Sequence, residues 1–272
     1  MSAENSTQKS HESRQAVRQR AISEAVMTAG SVRIEQLAER FDISLMTVHR
    51  DLDELESRGL LRKSRGVATA LSSSLVESSD VFRAGQQHAA KLEVAQAALE
   101  FIEPGQAVFL DDSTTVLQLA RLLHERAPLT VITNCLTIIN ELNNTRGISL
   151  VALGGFYHNW CSSFMGQMTT TAIEQLRADV FVMSTAAITD DRCFHQSQET
   201  VSTKHAMFDV SAARILLADH TKFEKRALYG LVDLTEFDHV IVDSRTRDED
   251  VVRLRGKGVH VTVATPSATP HR

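Results

Sequence analysis

A chain of 272 residues that is 43% hydrophobic, 23% charged and 5% aromatic is long enough for one large domain plus a small one, and its balance excludes fibres, collagen and wholesale disorder. No apolar run approaches the roughly 18 to 20 residues needed to span a bilayer, and the first residues hold no hydrophobic core of a signal peptide, so a cytoplasmic protein without a membrane partner is expected. Cys135, Cys161 and Cys193 form no Cys-x-x-Cys pair and read as free thiols, and the 11 histidines show no ligand spacing, so neither a metal nor a cofactor is expected.

The net charge of -5 is unevenly spread: the first 72 residues sum to +1 and the rest to -6. From Ser57 to Val76 there is no acidic residue, while Arg58, Arg62, Lys63 and Arg65 all fall there, a short cationic stretch in a mildly acidic chain.

Taken in chain order, a polar tail over 1–13 precedes a first helix, in which Ala16, Val17, Ile22, Ala25, Val26 and Ala29 recur at near-helical spacing before Gly30 stops it. Ile34, Leu37, Ala38 and Phe41 repeat at i, i+3, i+4 and i+7 and predict a short second helix. Asp42-Ile43-Ser44 interrupts it. Ser44 is an N-cap for a third helix, with Leu45, Val48, Leu52 and Leu55 as its buried stripe and Gly59 as its left-handed cap. Two short helices joined by a three-residue turn form the helix-turn-helix pattern, whose second helix lies in the major groove. Met46, Thr47, His49 and Arg50 lie off the leucine stripe near its N-terminus and suit base edges or phosphates. Arg62-Lys63-Ser64-Arg65-Gly66, between Leu60-Leu61 and Val67-Ala68-Thr69, reads as a basic hairpin wing that neutralises flanking phosphates.

Ser44-x-x-Thr47-Val48-His49-Arg50-Asp51-Leu52-x-x-Leu55-Glu56-x-x-Gly59-Leu60-Leu61 resembles the signature of the DeoR-type winged helix-turn-helix regulators. The resemblance implies operator DNA as partner, contacted through Ser44, Met46, Thr47, His49, Arg50, Arg62, Lys63 and Arg65. His49 stands where the family commonly has arginine, and Ser64-Arg65-Gly66-Val67-Ala68 replaces its usual wing.

A connecting helix is expected between Asp80 and Glu103, closed by Pro104-Gly105, with Gln86 to Phe101 as a candidate lever. Beyond it, apolar runs at Ala107 to Leu110, Leu129 to Ile132, Ile148 to Leu153, Val180 to Met183, Ile215 to Ala218, Val240 to Val242 and Val259 to Val263 alternate with helical patterns. That alternation predicts an open, mostly parallel sheet, with ligands beyond the carboxyl ends of its strands. The first strand runs into Asp111-Asp112-Ser113-Thr114-Thr115 and a helix, where backbone N–H groups and three hydroxyls suit an anion, phosphate above all. The following strand ends carry Thr133-Asn134, Gly154-Gly155, Ser184-Thr185-Ala186 and Asp219-His220-Thr221-Lys222. The paired glycines would let backbone approach a ligand, and Lys222 or Lys204 would supply positive charge.

These motifs also resemble the effector domain of the same DeoR family, whose fold is similar to ribose-5-phosphate isomerase and the CoA transferases. The resemblance implies an effector site at Asp112, Ser113, Thr114, Thr115, Thr133, Asn134, Gly154, Gly155, Glu199, Lys204 and Lys222. Glu199 with Lys204 would be the acid/base pair of a competing reading, a sugar-phosphate isomerase or deaminase-like enzyme carrying a DNA-binding module. The Phe156, Tyr157 and Trp160 rings receive no role.

The expected organisation is α/β: a tail over 1–13, a winged helix-turn-helix domain over 14–72 with its helix-turn-helix at 32–51, and a linker and connecting helix over 73–103. A larger Rossmann-like effector-binding domain with a mostly parallel sheet follows over 104–264, then a tail over 265–272. The expected function is a DNA-binding transcriptional repressor of a carbohydrate-metabolism operon, not an enzyme, that senses a phosphorylated sugar or related metabolite and is at least a dimer, because one recognition helix reads only a few base pairs.

Overall fold

The computed structural model describes residues 14–57, 61–70 and 80–266 and divides into two units, Met1–Leu71 and Ser72–Arg272. The tail over 1–13, Arg58, the Gly59 cap, the linker over 73–79 and the last six residues lie outside the described residues.

In the smaller unit α1 (Arg14–Ala29) ends at Gly30, whose φ of 74° is the left-handed conformation that stops a helix. A short strand absent from the sequence reading, β1 (Ser31–Arg33), leads into α2 (Ile34–Phe41). After a turn in which Asp42 is left-handed comes α3 (Leu45–Ser57). The Ser44 hydroxyl accepts from Thr47 N at 3.2 Å and so caps α3. The wing is β2 (Leu61–Ser64) and β3 (Val67–Ala70), joined by Arg65 and Gly66 with positive φ, and β1 pairs with β3 to complete a three-stranded antiparallel sheet. Ile22, Val26, Leu37, Val48, Leu52, Leu55, Leu61 and Ala68 form the core. Leu45, expected in the buried stripe, is 47% exposed. Asp51 is buried between Val48 and Leu55 instead, which only a paired carboxylate can tolerate.

The larger unit starts with α4 (Asp80–Gly85) and α5 (His88–Ala98), then runs through β4 (Ala107–Leu110), α6 (Thr114–Leu122), β5 (Leu129–Thr133), α7 (Leu136–Leu142) and β6 (Ile148–Ala152). A hairpin of β7 (Phe156–His158) and β8 (Ser163–Met165) precedes α8 (Gln167–Glu174) and β9 (Ala178–Met183). After β10 (Ala187–Thr189), β11 (Arg192–His195), α9 (Gln198–Asp209), β12 (Ser211–Ala218) and β13 (Tyr229–Asp233), the chain closes with β14 (His239–Val242), α10 (Asp248–Gly256) and β15 (Val261–Val263).

All seven predicted runs are strands of one sheet, in the order β15-β14-β12-β9-β4-β5-β6, and every pairing in it is parallel. Both faces are covered: Val108, Leu110, Val180 and Val182 pack into one cluster, and Phe109, Phe181 and Met183 into another. Two-sided burial is why these strands read as continuous apolar runs. The chain builds outward from β4 to β6 in one direction and from β9 to β15 in the other, so the order reverses between β4 and β9. Such a reversal leaves a crevice at the strand ends.

The stretch from Asp80 to Glu103 is not one connecting helix. Gln87, with a φ of 52°, breaks it after α4. Val94, Ala95 and Ala98 of α5 belong to the core of the sheet, so α5 is part of the larger unit rather than a free lever.

Candidate nucleic-acid interface and effector cavity

On α3, burying Val48, Leu52 and Leu55 leaves Met46, 71% accessible, and Arg50 exposed, with Thr47 and His49 half-buried. Arg62 and Arg65 of the wing are exposed. Lys63 is already engaged within the unit: its Nζ pairs with Asp53 of α3, and its backbone N donates to Glu56 Oε1 at 2.9 Å. The wing is thus tied to the helix it follows. A second tie fixes α3 to α1, where Asp51 accepts from Arg18 Nε at 2.6 Å, Arg18 NH2 at 3.1 Å and Gln19 Nε2 at 3.1 Å.

In the larger unit the reversal between β4 and β9 holds a cavity of about 250 Å³. One wall is the loop after β4 and the start of α6. Asp111 shapes it, its Oδ1 accepting from Ser113 N at 2.9 Å and its Oδ2 from Ser184 N at 2.8 Å across the reversal. The Ser113 hydroxyl accepts from Val116 N at 3.1 Å and caps α6. Lys204 of α9 reaches in from behind, with Nζ 2.7 Å from Asp111 Oδ2, 3.4 Å from Asp112 Oδ1 and 2.9 Å from Ser184 O. The buried Ser184 hydroxyl lines the cavity and has no hydrogen-bond partner among the described residues.

Lys91 of α5 forms the facing wall. Its Nζ donates to Thr114 Oγ1 at 3.0 Å and to Arg83 O. Burial lowers this amine to about 7; Lys222 pushes it further down, Asp219 opposes, and Arg83 and Lys225 add to the repulsion. Burial would raise Asp219, but Lys222, the hydrogen bonds from Thr221, Lys225 and Lys91 outweigh it and hold the carboxyl below its usual range. Five basic side chains, Arg83, Lys91, Lys204, Lys222 and Lys225, line the cavity against the two carboxylates Asp112 and Asp219. A positive excess beside a helix N-terminus and the hydroxyls of Thr114, Thr115 and Ser184 suits a small anion carrying hydrogen-bonding groups.

Residues 18–74 match the family described as the DeoR-like helix-turn-helix domain, and residues 86–244 match the DeoR C terminal sensor domain. The chain belongs to the DeoR family. The transcriptional repressor AccR of Agrobacterium fabrum is 34% identical over 232 residues, covering 85% of this chain and 90% of that protein. The lactose phosphotransferase system repressor of Lactococcus lactis is 31% identical over 220 residues, 79% and 86% of the two chains. The L-fucose operon activator of Haemophilus influenzae is 30% identical over 228 residues, 84% and 91%. Among solved structures, ribose 5-phosphate isomerase A from Methanocaldococcus jannaschii overlaps 49% of this chain and 53% of that one, at 15% identity and a TM-score of 0.36. The protein is a DeoR-family transcriptional regulator, and no helix among its described residues is long and apolar enough to cross a membrane.

Of the effector residues expected in this DeoR-family regulator, Asp112, Ser113, Thr114, Thr115, Lys204 and Lys222 line the cavity, and Thr133, Asn134, Gly154, Gly155 and Glu199 do not. The ends of β5 and β6 lie on the far side of β4 from β9, which sets Thr133, Asn134, Gly154 and Gly155 apart from the cavity lining. Thr133 Oγ1 accepts from Cys135 N at 3.1 Å within its own turn, and Asn134 Nδ2 donates to Phe164 O of β8 at 2.8 Å. The paired glycines make a close approach, but to protein: Thr169 Oγ1 donates to Gly154 O at 2.9 Å, and a Cβ at Gly155 would lie 2.8 Å from Met165 O. Glu199 is exposed and lies 3.1 Å from His158 Nε2, so the Glu199–Lys204 pair is not assembled. Five positions on a helix are about 140° apart and cannot share a target.

Arg83, Gln86, Gln87, Lys91, His195, Gln196 and Lys225 line the cavity without having been singled out in sequence. His195 Nδ1 accepts from Ser197 N at 3.0 Å just before α9. The three cysteines are buried, and burial raises Cys135 to about 11 and Cys193 to about 12, with Cys161 also pushed up, which leaves them as inert thiols.

Proposed function

We propose that this regulator represses a carbohydrate-metabolism operon, that α3 and the wing hold operator DNA, and that a phosphorylated sugar in the cavity modulates the binding. The observation that supports the effector class is the cavity's lining, five basic groups against two carboxylates, with hydroxyls and amides for a sugar. The DNA reading rests on Ser44, Met46, Thr47, His49 and Arg50 for base edges and nearby phosphates, and on Arg62 and Arg65 for the flanking backbone; Lys63 serves by holding the wing in place.

The protein acts in the cytoplasm, without turnover, as at least a dimer, because a single recognition helix covers too few base pairs for a specific operator. Ligand can shift DNA affinity only by its differential affinity for the two arrangements of the protein. Repression rather than activation is favoured by the names of most relatives, whereas one is an activator.

Fluorescence anisotropy on DNA from upstream of the protein's own gene, at stated salt and with a panel of sugar phosphates, tests the reading. Specific binding weakened by one panel member is the expected result. Specific binding that no member alters would remove the phosphosugar, and equal affinity for random duplex would remove the operator.

A further inference from the structure

Lys91 and Lys222 reach the cavity from different elements, α5 and the turn after β12, and a segment outside the cavity joins the two. This segment follows β14. Because Ala218 of β12 pairs with Val242 of β14, Asp219 and Asp243 leave the sheet at the same level. Asp243 is fully buried and accepts twice from His220: from its backbone N at 2.6 Å and from Nδ1 at 2.8 Å. Thr246 Oγ1 at 3.2 Å and Arg245 Nε at 3.3 Å fill its remaining acceptor positions. His220 lies between Asp219 and Thr221, two residues before Lys222, so fixing it fixes the turn that carries this lysine. The next residue, Ser244, turns the other way and donates from N at 3.2 Å and from Oγ at 2.9 Å to Glu93 Oε2 of α5. Glu93 follows Lys91 by two positions, about 200° around the helix, so when Glu93 faces the segment Lys91 faces the cavity.

We propose that Asp243 and Ser244 are positioning residues of the effector cavity, which hold Lys91 and Lys222 side by side without touching the ligand. Two neighbouring ammonium groups repel, and the clamp keeps them at a separation that a dianion then bridges. Affinity comes from paying that repulsion during folding rather than during binding. This inference rests on the reading of the cavity as a phosphate-ester site.

The test is calorimetric titration of the full-length protein with inorganic phosphate, for the wild type, Ser244→Ala, Ser244→Thr and Asp243→Asn. Alongside it, the Lys91 amine is titrated by NMR with labelled lysine. Losing one hydrogen bond in Ser244→Ala is expected to weaken phosphate binding about fivefold. The Lys91 midpoint should rise towards its ordinary value as Lys222 moves away, with Ser244→Thr restoring both. Melting temperature separates this from unfolding; if Asp243→Asn does not fold, the two Ser244 variants decide. Unchanged affinity and an unchanged Lys91 midpoint in the folded variants overturn the inference alone. A wild type that takes up no phosphate overturns the cavity reading beneath it.

Discussion

Lys204 Nζ lies 2.7 Å from Asp111 Oδ2, and both side chains are almost completely buried. Asp111 also accepts from Ser113 N and Ser184 N, so this one carboxylate ties together α9, the loop after β4 and the loop after β9. Lys204→Met should therefore be a stability variant before it is a binding variant. Breaking a buried pair by removing one partner costs about 3–5 kcal/mol, because the remaining charge is stranded. At roughly 2–4 °C per kcal/mol for a unit of this size, thermal unfolding should move down by about 10 °C. A shift under about 2 °C would mean that the buried pair contributes little to holding these three segments together.

Lys91 titrates near neutrality, so anion affinity should depend on pH in a definite direction. A phosphate ester binds the charged amine better, and above pH 7 binding must take up a proton. Affinity should fall from about pH 7 upward, approaching tenfold per unit; below about pH 6 the ester loses its second charge and affinity falls again. Without ligand, the amine's folded value lies below its ordinary 10.5, so the unfolded chain binds more protons between about pH 7 and 10.5 and stability rises across that window. Lys91→Met should remove the fall in affinity above pH 7 and the rise in stability, and leave the fall below pH 6, which belongs to the ester. Calorimetry at stepped pH, and denaturant unfolding at the same steps, give the two readouts.

The two glycines at the end of β6 should behave oppositely. A Cβ at Gly154 meets nothing within 4 Å, whereas one at Gly155 meets Thr169 Oγ1 and Met165 O, at a φ of 153° that side chains rarely adopt. Gly154→Ala should leave unfolding within about 0.5 kcal/mol of the wild type, and Gly155→Ala should cost about 2 kcal/mol or more. Neither should change anion binding directly, since neither lines the cavity. Equal loss of phosphate affinity in both would restore the glycines to the site.

What could be read in sequence follows from what local pattern encodes. Strands buried on both faces are continuous apolar runs, and so all seven strands of the sheet were legible; β7, β8, β10, β11 and β13 are short or partly exposed and carry no such run. The Ser113 cap and the hydroxyl-rich start of α6 were legible because capping is local. Strand order is not local, and it decides that the ends of β4, β9 and β12 share a cavity while those of β5 and β6, on the same edge of the sheet, lie to one side of it. Lys91 was hidden for a related reason: a lysine in a helical stretch reads as solvent-facing until the packing of α5 turns it inward. In the smaller unit the wing's charge was legible, but the pairing of Lys63 with Asp53 was not.

That pairing separates the wing residues by what they do for DNA. Arg62 and Arg65 are exposed and should each neutralise about one phosphate, so Arg65→Ala should lower affinity for operator and random duplex alike and reduce the salt slope by about 0.9. Lys63→Ala frees Asp53 and should leave the salt slope nearly unchanged while weakening operator binding through a loosened wing. His49→Ala should instead reduce the preference for operator over random duplex, by about 1–3 kcal/mol if it reads a base. Affinities over a salt series with both duplexes distinguish the three. Identical slopes for Arg65→Ala and the wild type would take the wing off the backbone.

The tie between α1 and α3 allows the two activities to be separated. Asp51 is 1% exposed and accepts from Arg18 twice and from Gln19 once. Asp51→Ala leaves three N–H donors, on two side chains, without their acceptor and a small void beneath the recognition helix. Hydrogen bonds to a charged group are worth about 1.5–3 kcal/mol, a large share of the stability of a unit of about 70 residues. Arg18 is partly exposed and can recover water, which keeps the loss below that of Lys204→Met. Asp51→Ala should therefore lose operator binding at 37 °C yet retain phosphate binding, because every cavity residue belongs to the other unit. Asp51→Asn keeps one acceptor oxygen and should fall between the two. Loss of phosphate binding in Asp51→Ala at a temperature where the larger unit stays folded would show that the units do not act independently.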